Sequence, residues 1–197
     1  MIVFVILVAF AICTAVILSL IDGADDRKEQ VPKYSYDFFV PDFNKNIFAD
    51  EGYLELNRYI SYTEGATTTL IDDEDYAFYG PVVEFFAKYI DSVIQGDHER
   101  YNSFFSKEYI DANGKKDVFT MQQLYNIEIE YLGLRTIELD GKEYSLHEVA
   151  LEYMIRQNNG TFRNDMGSDA IRRRAFQVID RNGKLEILNM TTFYYAD

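Results

Sequence analysis

The chain has 197 residues, of which 48% are hydrophobic and 16% are aromatic, with 16 tyrosines, 15 phenylalanines and no tryptophan. This composition argues against a disordered chain and predicts one packed domain with additional segments. The formal net charge of −14 argues against nucleic-acid binding, because phosphate contacts require clustered lysines and arginines.

Residues 2–21 form an uncharged and almost wholly apolar run. With a rise of about 1.5 Å per residue, a helix of this length matches the hydrocarbon core of a bilayer, which is about 30 Å thick. The run therefore predicts a transmembrane anchor, residues 1–21, that holds the chain in the cell membrane with a single pass. A cleaved signal peptide is the alternative, but its apolar part usually spans about 7 to 15 residues.

The orientation of this anchor is predicted from the residues on its C-terminal side. Arg27 and Lys28 come after the apolar run, so the positive-inside rule alone would place the rest of the chain in the cytoplasm. Four carboxylates surround these two cations, however, and an N-terminal anchor usually serves to export the domain attached to it. We therefore expect an extracytoplasmic domain.

Cysteine and histidine are too sparse for a metal site. The single cysteine, Cys13, lies within the anchor, so no disulfide framework or thiolate site can form within the chain. His147 has no second histidine at a ligand spacing, which argues against zinc. The sequence predicts neither a metal nor a cofactor.

Residues 22–78 are predicted to form a juxtamembrane tether with a short helix, because prolines and charges interrupt any period. Asp50 is suited to cap that helix, which we expect to extend through Tyr53 to Ile60. The stretch TEGATTTL beyond it is polar and β-prone. The acidic run at residues 72–75 lacks the alternating ligands and the glycine of a calcium loop, and predicts a solvated loop.

A long helix is predicted from Pro81 to Ile94, because apolar residues recur there at spacings of three and four. Proline is tolerated in the first turn of a helix, where its missing N–H would have no partner. Gly96 then predicts a stop, and Asp97 can cap a second, shorter helix. The apolar face of that second helix comprises His98, Tyr101, Phe104 and Phe105.

The period changes to two after residues 121–125, which are predicted to form one more helical turn. Ile127, Ile129 and Tyr131 alternate with glutamates, and the next apolar set, from Val149 to Ile155, does the same. Turn signals lie at residues 140–141, 158–160 and 181–183. They predict an antiparallel meander whose third and fourth strands span residues 171–179 and 185–195.

Three consecutive arginines, Arg172, Arg173 and Arg174, begin the third strand. They could form an anion site. The sequence favours cross-strand ion pairs on the wet face with Glu128, Glu130, Glu148 and Glu152. Because Phe176 and Val178 share the parity of Arg172 and Arg174, we also expect a bulge or an overhanging end in this strand.

Residues 79–197 resemble the nuclear transport factor 2-like superfamily. The resemblance rests on Gly96, Asp97, Tyr101, Ser103, Phe104, Phe105 and Ser106 between two helices, and on the final hairpin with residues 182–188. It implies an α+β, cone-like domain in which a long helix packs on a curved antiparallel sheet. With its anchor, the chain resembles extracytoplasmic members of Gram-positive bacteria, many of which have no assigned role.

Enzymes of that superfamily are implied to use an aspartate or a histidine with a tyrosine inside the cone. The candidate pocket-lining residues here are Tyr89, Tyr101, Tyr131, Tyr153, Phe176 and His98. Ordinary packing is the simpler interpretation of the tyrosines and of His98. We therefore predict a membrane-anchored binding or interaction module, with an isomerase or dehydratase-type enzyme as the alternative. A homodimer or a protein partner across the sheet face is a further expectation.

Overall fold

A computed structural model describes residues 38–71 and 75–192. The predicted transmembrane helix at residues 2–21, residues 22–37 of the predicted tether, most of the acidic run and residues 193–197 lie outside the described residues. Within the two described ranges, no helix has both the length and the apolar character that crossing a membrane requires.

The described chain is a mixed α+β domain built on one six-stranded sheet, as the sequence predicted at the level of fold class. The strands lie in the order β2-β1-β3-β4-β5-β6. All neighbouring pairs are antiparallel except β1 and β3, which are parallel. The strands are β1 (Ile60–Glu64), β2 (Thr67–Ile71), β3 (Gln123–Leu139), β4 (Lys142–Arg156), β5 (Arg172–Arg181) and β6 (Lys184–Thr192).

Within residues 38–71 and 75–192, four α-helices accompany the sheet: α1 (Glu51–Leu54), α2 (Pro81–Ile94), α3 (His98–Ser103) and α4 (Lys107–Asn113). Two short 3₁₀ turns, Ile47–Ala49 and Tyr76–Tyr79, precede α1 and α2. Helix α2 begins with its proline, and α3 is capped by the Asp97 side chain, which accepts from the Arg100 N–H at 2.9 Å. Both helices were predicted. Helix α4 was not predicted, although Ser106 caps it in the usual way by accepting from the Tyr109 N–H at 3.2 Å.

Helix α2 packs against one face of the sheet, which we call the inner face. The ring of Phe86 contacts that of Phe176 on β5 with a centroid distance of 5.2 Å, and Tyr89 contacts the same ring at 5.6 Å. The inner face is formed by alternate residues of the strands, all fully or almost fully buried: Ile127, Ile129, Val149, Leu151, Tyr153, Phe176, Val178 and Ile187. The period of two in the sequence therefore located this face correctly.

The predicted tether is wrong for the stretch that forms β1 and β2. The helix capped by Asp50 ends at Leu54, and Ile60, which was predicted to be its last apolar residue, begins β1. The β1–β2 hairpin joins the sheet through pairs such as Ile60 with Ile127. This pairing is parallel and connects distant parts of the chain, so it produces no local turn signal.

The helical turn predicted at residues 121–125 is also wrong. Strand β3 begins at Gln123. The N–H of the preceding residue, Gln122, donates to the Ile94 carbonyl at 3.1 Å. Leu124 and Tyr125 are both buried although successive strand residues point to opposite faces. Because both faces are covered at this end of β3, the apolar residues lose the alternation that would have identified a strand.

The meander predicted for the last four strands is confirmed, including the turns that join β3 to β4 and β5 to β6. The bulge expected in the third strand of the meander, β5, lies instead in the neighbouring strand β6. Gln177 pairs with Asn189 and Val178 pairs with Ile187, so the extra residue, Leu188, belongs to β6. A further register shift in β3 lies between Tyr131 and Gly133. Such shifts bend a strand and increase its twist.

Candidate functional site

A pocket of about 220 Å³ opens between the two short helices α3 and α4 and the inner face of β4 and β5. The segment after α4 and the loop between β4 and β5 complete its rim. Six of its lining residues are aromatic, and we call them the aromatic wall: Tyr89, Tyr101, Phe105, Tyr109, Tyr153 and Phe162. Four cationic residues also line it: Lys115, Lys116, Arg163 and Arg174.

Five of the six rings of the aromatic wall, all except that of Tyr153, form a connected set of ring contacts. Tyr101 lies at its centre, 5.3 Å from the ring of Tyr89, 5.0 Å from that of Phe105 and 5.6 Å from that of Phe162. Tyr109, on α4, lies 4.5 Å from Phe105 in a tilted arrangement. Aromatic side chains have few rotatable bonds, so a wall of this kind is already shaped before a ligand arrives.

The hydroxyls of Tyr89, Tyr101 and Tyr109 retain their protons at neutral pH. Burial raises the pKa of Tyr101 to about 12 and raises the pKa values of Tyr89 and Tyr109 as well. The Tyr89 hydroxyl donates to that of Tyr101 across 3.4 Å, and the Tyr153 hydroxyl accepts from Nη1 of Arg163 at 2.8 Å. Tyr101 and Tyr153 each accept a hydrogen bond within the pocket, so each keeps its own O–H for donation.

Arg174 reaches the pocket from the inner face of β5, where it shares the parity of Phe176. Its side chain makes no hydrogen bond or ion pair with another residue of the described ranges. Lys116 lies on the same rim. Burial lowers the pKa of Lys116, the charge of Asp117 opposes this effect, and the charge of Arg174 adds to it. The two cations are therefore close enough to repel each other.

Arg163 is held by the loop that carries it. It donates to Tyr153 and, through Nε, to Asp165 at 3.2 Å. Although burial acts to raise the pKa of Asp165, hydrogen bonds from Arg172 and Arg163 keep it below its ordinary value. Asn158, which is fully buried, donates to the Asp165 carbonyl at 2.8 Å. This side of the pocket is thus fixed by a satisfied polar network.

The opposite rim is fixed by Asn102 on α3. Its Nδ2 donates to the Lys116 carbonyl at 2.9 Å and to the His98 carbonyl at 2.8 Å, while its Oδ1 accepts from the Lys116 N–H at 2.8 Å. The side-chain amide is therefore occupied by the backbone. The result is a defined backbone position for Lys116, whose ammonium remains available to the pocket.

Of the six residues predicted to line a pocket, the structure brings together Tyr89, Tyr101 and Tyr153. Phe176 lies beneath them in contact with Tyr89 but does not line the pocket. The other two predicted residues lie elsewhere. His98 begins α3 outside the lining, and Tyr131 lies near β1, where its hydroxyl shares a hydrogen bond of 3.1 Å with Nδ1 of His147.

The three consecutive arginines of β5 separate into different environments. Arg173 forms the predicted cross-strand pairs, with Glu130 and with Glu152, the latter at 3.6 Å. Arg172 pairs instead with Asp165 at 2.6 Å, in the loop before β5. The remaining predicted glutamates have other partners: Glu128 accepts from Thr63, and Glu148 pairs with Arg135.

Sequence reasoning missed Tyr109, Lys115, Lys116, Arg163 and Arg174 as pocket residues. A signal was present only for Arg174, because it shares the parity of the apolar residues beyond it in β5. That parity was interpreted as a bulge or as a strand end that overhangs the core, and in the structure it places the Arg174 guanidinium on the inner face near the start of β5. The other four residues are carried by α4 and by loops, which have no period from which their direction could be predicted.

The described residues contain no group of three or more histidine, cysteine or acidic side chains able to hold a metal ion. No family model, no curated protein and no solved structure matches the chain. The pocket and the sequence are therefore the basis on which a function can be proposed.

Proposed function

We propose that the chain is a membrane-anchored, extracytoplasmic binding module whose domain holds a small molecule with a flat, apolar body. The observation that carries this proposal is the open pocket of about 220 Å³ with its six aromatic residues. A closed core would fill such a space with side chains, since protein interiors are packed to high density. Ligand sites, by contrast, combine an apolar wall with a few polar groups that fix orientation.

The anchor and the extracytoplasmic location are proposed from the sequence. Residues 2–21 are long enough and apolar enough for one transmembrane helix. A single-pass anchor next to a domain with a ligand pocket suits a protein that binds a solute at the membrane surface.

We include in the proposal a cone-like domain of the nuclear transport factor 2-like type. Helix α2 is joined to the shorter α3 through Gly96 and Asp97, and it packs on the inner face of a meander. The register shifts in β3 and β6 support a sheet that bends around the helix. The pocket then lies at the open end of the cone.

A binding role is favoured over the enzymatic alternative by the residues that line the pocket. No carboxylate or imidazole is found among those that the structure describes there. Asp165, the acid bound to Arg163 at the rim, is held by two guanidinium groups, and its lowered pKa makes it a weak base. An isomerase or dehydratase mechanism would require a carboxylate or a histidine that accepts a proton readily, beside a tyrosine.

An interaction across the outer face of the sheet has less support. That face carries ion pairs, including Arg173 with Glu130 and Arg135 with Glu148. Stable interfaces are depleted of charge at their centres. We therefore place the binding activity in the pocket.

The proposal can be tested with a fluorescent reporter, because the natural chain has no tryptophan. Asn113→Trp places a single indole at the pocket rim, while Ala112→Trp places one on an exposed position of the same helix, outside the lining. The full-length protein in detergent is titrated with a set of small aromatic compounds, neutral, anionic and cationic. We expect a saturable change for Asn113→Trp and none for Ala112→Trp.

Calorimetry with a blocked pocket provides an independent measurement. Ile110→Trp enlarges a side chain of the lining and should remove the binding heat of any compound found with the reporter. If no compound of any charge gives a saturable response at millimolar concentration, the proposed function is wrong.

A further inference from the structure

We infer that the ligand is a small organic anion, whose carboxylate or phosphate group is bound by Arg174 and Lys116 while its flat body lies against the aromatic wall. This inference rests on the proposed function and adds the chemical class of the ligand.

The charge of the lining is the first reason for an anionic ligand. The chain has 33 acidic residues against 19 lysines and arginines, yet the described lining of the pocket has four cations and no carboxylate. Asp165 pairs with Arg163 at the rim, but Lys115, Lys116 and Arg174 make no ion pair with another described residue. This concave site therefore has a local positive charge against the overall charge of the protein. Concave sites with charge of one sign concentrate ligands of the opposite sign.

The contrast among the arginines of β5 is the second reason. Arg172 pairs with Asp165, Arg173 with Glu130, and Arg181 with both Glu108 and Glu186. Arg174, in the same strand, has no such partner among the described residues. A half-buried guanidinium without a counter-ion is costly. The cost is removed if an anionic ligand supplies the missing partner.

The balance of donors and acceptors is the third reason. The guanidinium of Arg174 and the ammonium of Lys116 only donate hydrogen bonds, and the hydroxyls of Tyr101 and Tyr153 each already accept one. Each of these four groups can therefore donate a hydrogen bond to a ligand. The planar guanidinium favours two parallel hydrogen bonds to a carboxylate or a phosphate.

The test compares two compounds of nearly the same shape that differ in charge. 3-Phenylpropanoate carries a carboxylate, and 3-phenylpropanamide replaces it with a neutral amide. Both are titrated calorimetrically into the full-length protein in detergent at pH 7 and constant ionic strength, with phenyl phosphate as a second anion. We expect the better of the two anions to bind about ten- to a hundredfold more tightly than the amide, as charge-assisted hydrogen bonds imply.

Three variants assign this preference to the cations of the pocket. Arg174→Met should reduce the preference for the anion at least tenfold and leave amide binding unchanged, and Lys116→Met should reduce it by a smaller factor. Arg173→Met removes the same charge from the adjacent residue on the outer face and should leave the preference intact. Because Lys116 lies on the open rim, its variant reports on the inference even if Arg174→Met fails to fold.

The possible outcomes separate the inference from the proposed function. Equal binding of anion and amide, or an unchanged preference in both pocket variants, overturns the anion inference and leaves the binding module intact. Loss of the preference in Arg173→Met to the same extent as in Arg174→Met also overturns it, because the effect would then be one of net charge. Absence of binding by either compound, together with no response of the Asn113→Trp reporter to other compounds, overturns both.

Discussion

Arg163 donates a hydrogen bond from Nη1 to the Tyr153 hydroxyl, 2.8 Å away, and so ties the loop after β4 to the strand that it leaves. The arginine side chain is only 10% exposed, although its residue belongs to a loop. Its guanidinium also lies over the Tyr153 ring, 5.9 Å from the centroid. Tyr153 therefore contributes both its hydroxyl and its ring face to the network that fixes this side of the pocket.

Tyr153→Phe should lower the free energy of unfolding by about 1 to 3 kcal/mol, because it leaves a nearly buried guanidinium N–H without its acceptor. Thermal unfolding of the full-length protein in detergent measures the change. Tyr109→Phe is the matched control, since the Tyr109 hydroxyl makes no hydrogen bond with another described residue, and its effect should stay within about 0.5 kcal/mol. Equal losses in the two variants would contradict a stabilising role for the Arg163 contact.

Gly96→Ala should be strongly destabilising, for two reasons that add. Gly96 has φ +68°, which a residue with a Cβ tolerates poorly, and a Cβ there would lie 2.8 Å from the Met121 nitrogen. Gly65→Ala is the control, since Gly65 has φ +60° with nothing within 4 Å of the added Cβ. We expect about 1 kcal/mol for the control and about 2 to 4 kcal/mol for Gly96→Ala. Equal midpoints in thermal unfolding would show that the close approach to residues 119–121 is relieved without cost.

Asp50 should make the stability of the domain depend on pH in the acid range. Hydrogen bonds from Arg156, at 2.7 Å, and from Gln123 lower the pKa of Asp50 to about 2, below its ordinary value of 3.8. A carboxylate with a lowered pKa stabilises the folded state above its unfolded pKa, and this contribution is lost as the pH falls through the folded pKa. The contribution should be about 1 to 2 kcal/mol, present above about pH 4 and lost between about pH 4 and pH 2.

Asp50→Asn isolates this contribution, because asparagine still caps α1 by accepting from the Tyr53 N–H. Relative to the natural protein, the variant should be less stable at about pH 6 and should converge with it at about pH 2. Urea denaturation at a series of pH values measures the difference. A difference that stayed constant over this range would mean that the ion pair with Arg156 is not its source.

Arg174→Met should increase the stability of the ligand-free protein by about 0.5 to 2 kcal/mol. The substitution removes a half-buried charge without a partner among the described residues and relieves its repulsion of Lys116. Arg173→Met should have the opposite effect, because it removes the guanidinium that pairs with Glu130 and with Glu152. Thermal unfolding of both variants in the absence of ligand gives the comparison, and a loss of stability in Arg174→Met would indicate a structural role for that arginine.

The parts of the fold that the sequence predicts are those with a local signal. Pro81 and Gly96 delimit the long helix, and Asp140 and Asn182 mark turns whose backbone has positive φ, which aspartate and asparagine tolerate better than most residues. The addition of β1 to the sheet has no such signal, because Ile60 meets Ile127 only after the intervening chain has folded. Parallel pairing across a long connection is a tertiary property.

The candidate site shows the same limit in another form. Tyr89 and Tyr153 could be placed on buried faces by their periods, and both line the pocket. Lys116 and Arg163 could not be placed in this way, since Asn102 holds the Lys116 backbone and Asp165 holds the Arg163 side chain. Arg174 is intermediate between the residues that a period places and those that it does not. Its parity was visible, but recognising an inward arginine required knowledge of where the core beneath it ends.

The parallel pairing of β1 with β3 also makes the β1–β2 hairpin dependent on a distant part of the chain. Two-stranded hairpins are marginally stable by themselves. Until Ile127 lies beside Ile60, the edge of β1 is an unpaired strand that can add to a strand of another copy. A partly folded chain is therefore expected to be most prone to aggregation before this pairing forms.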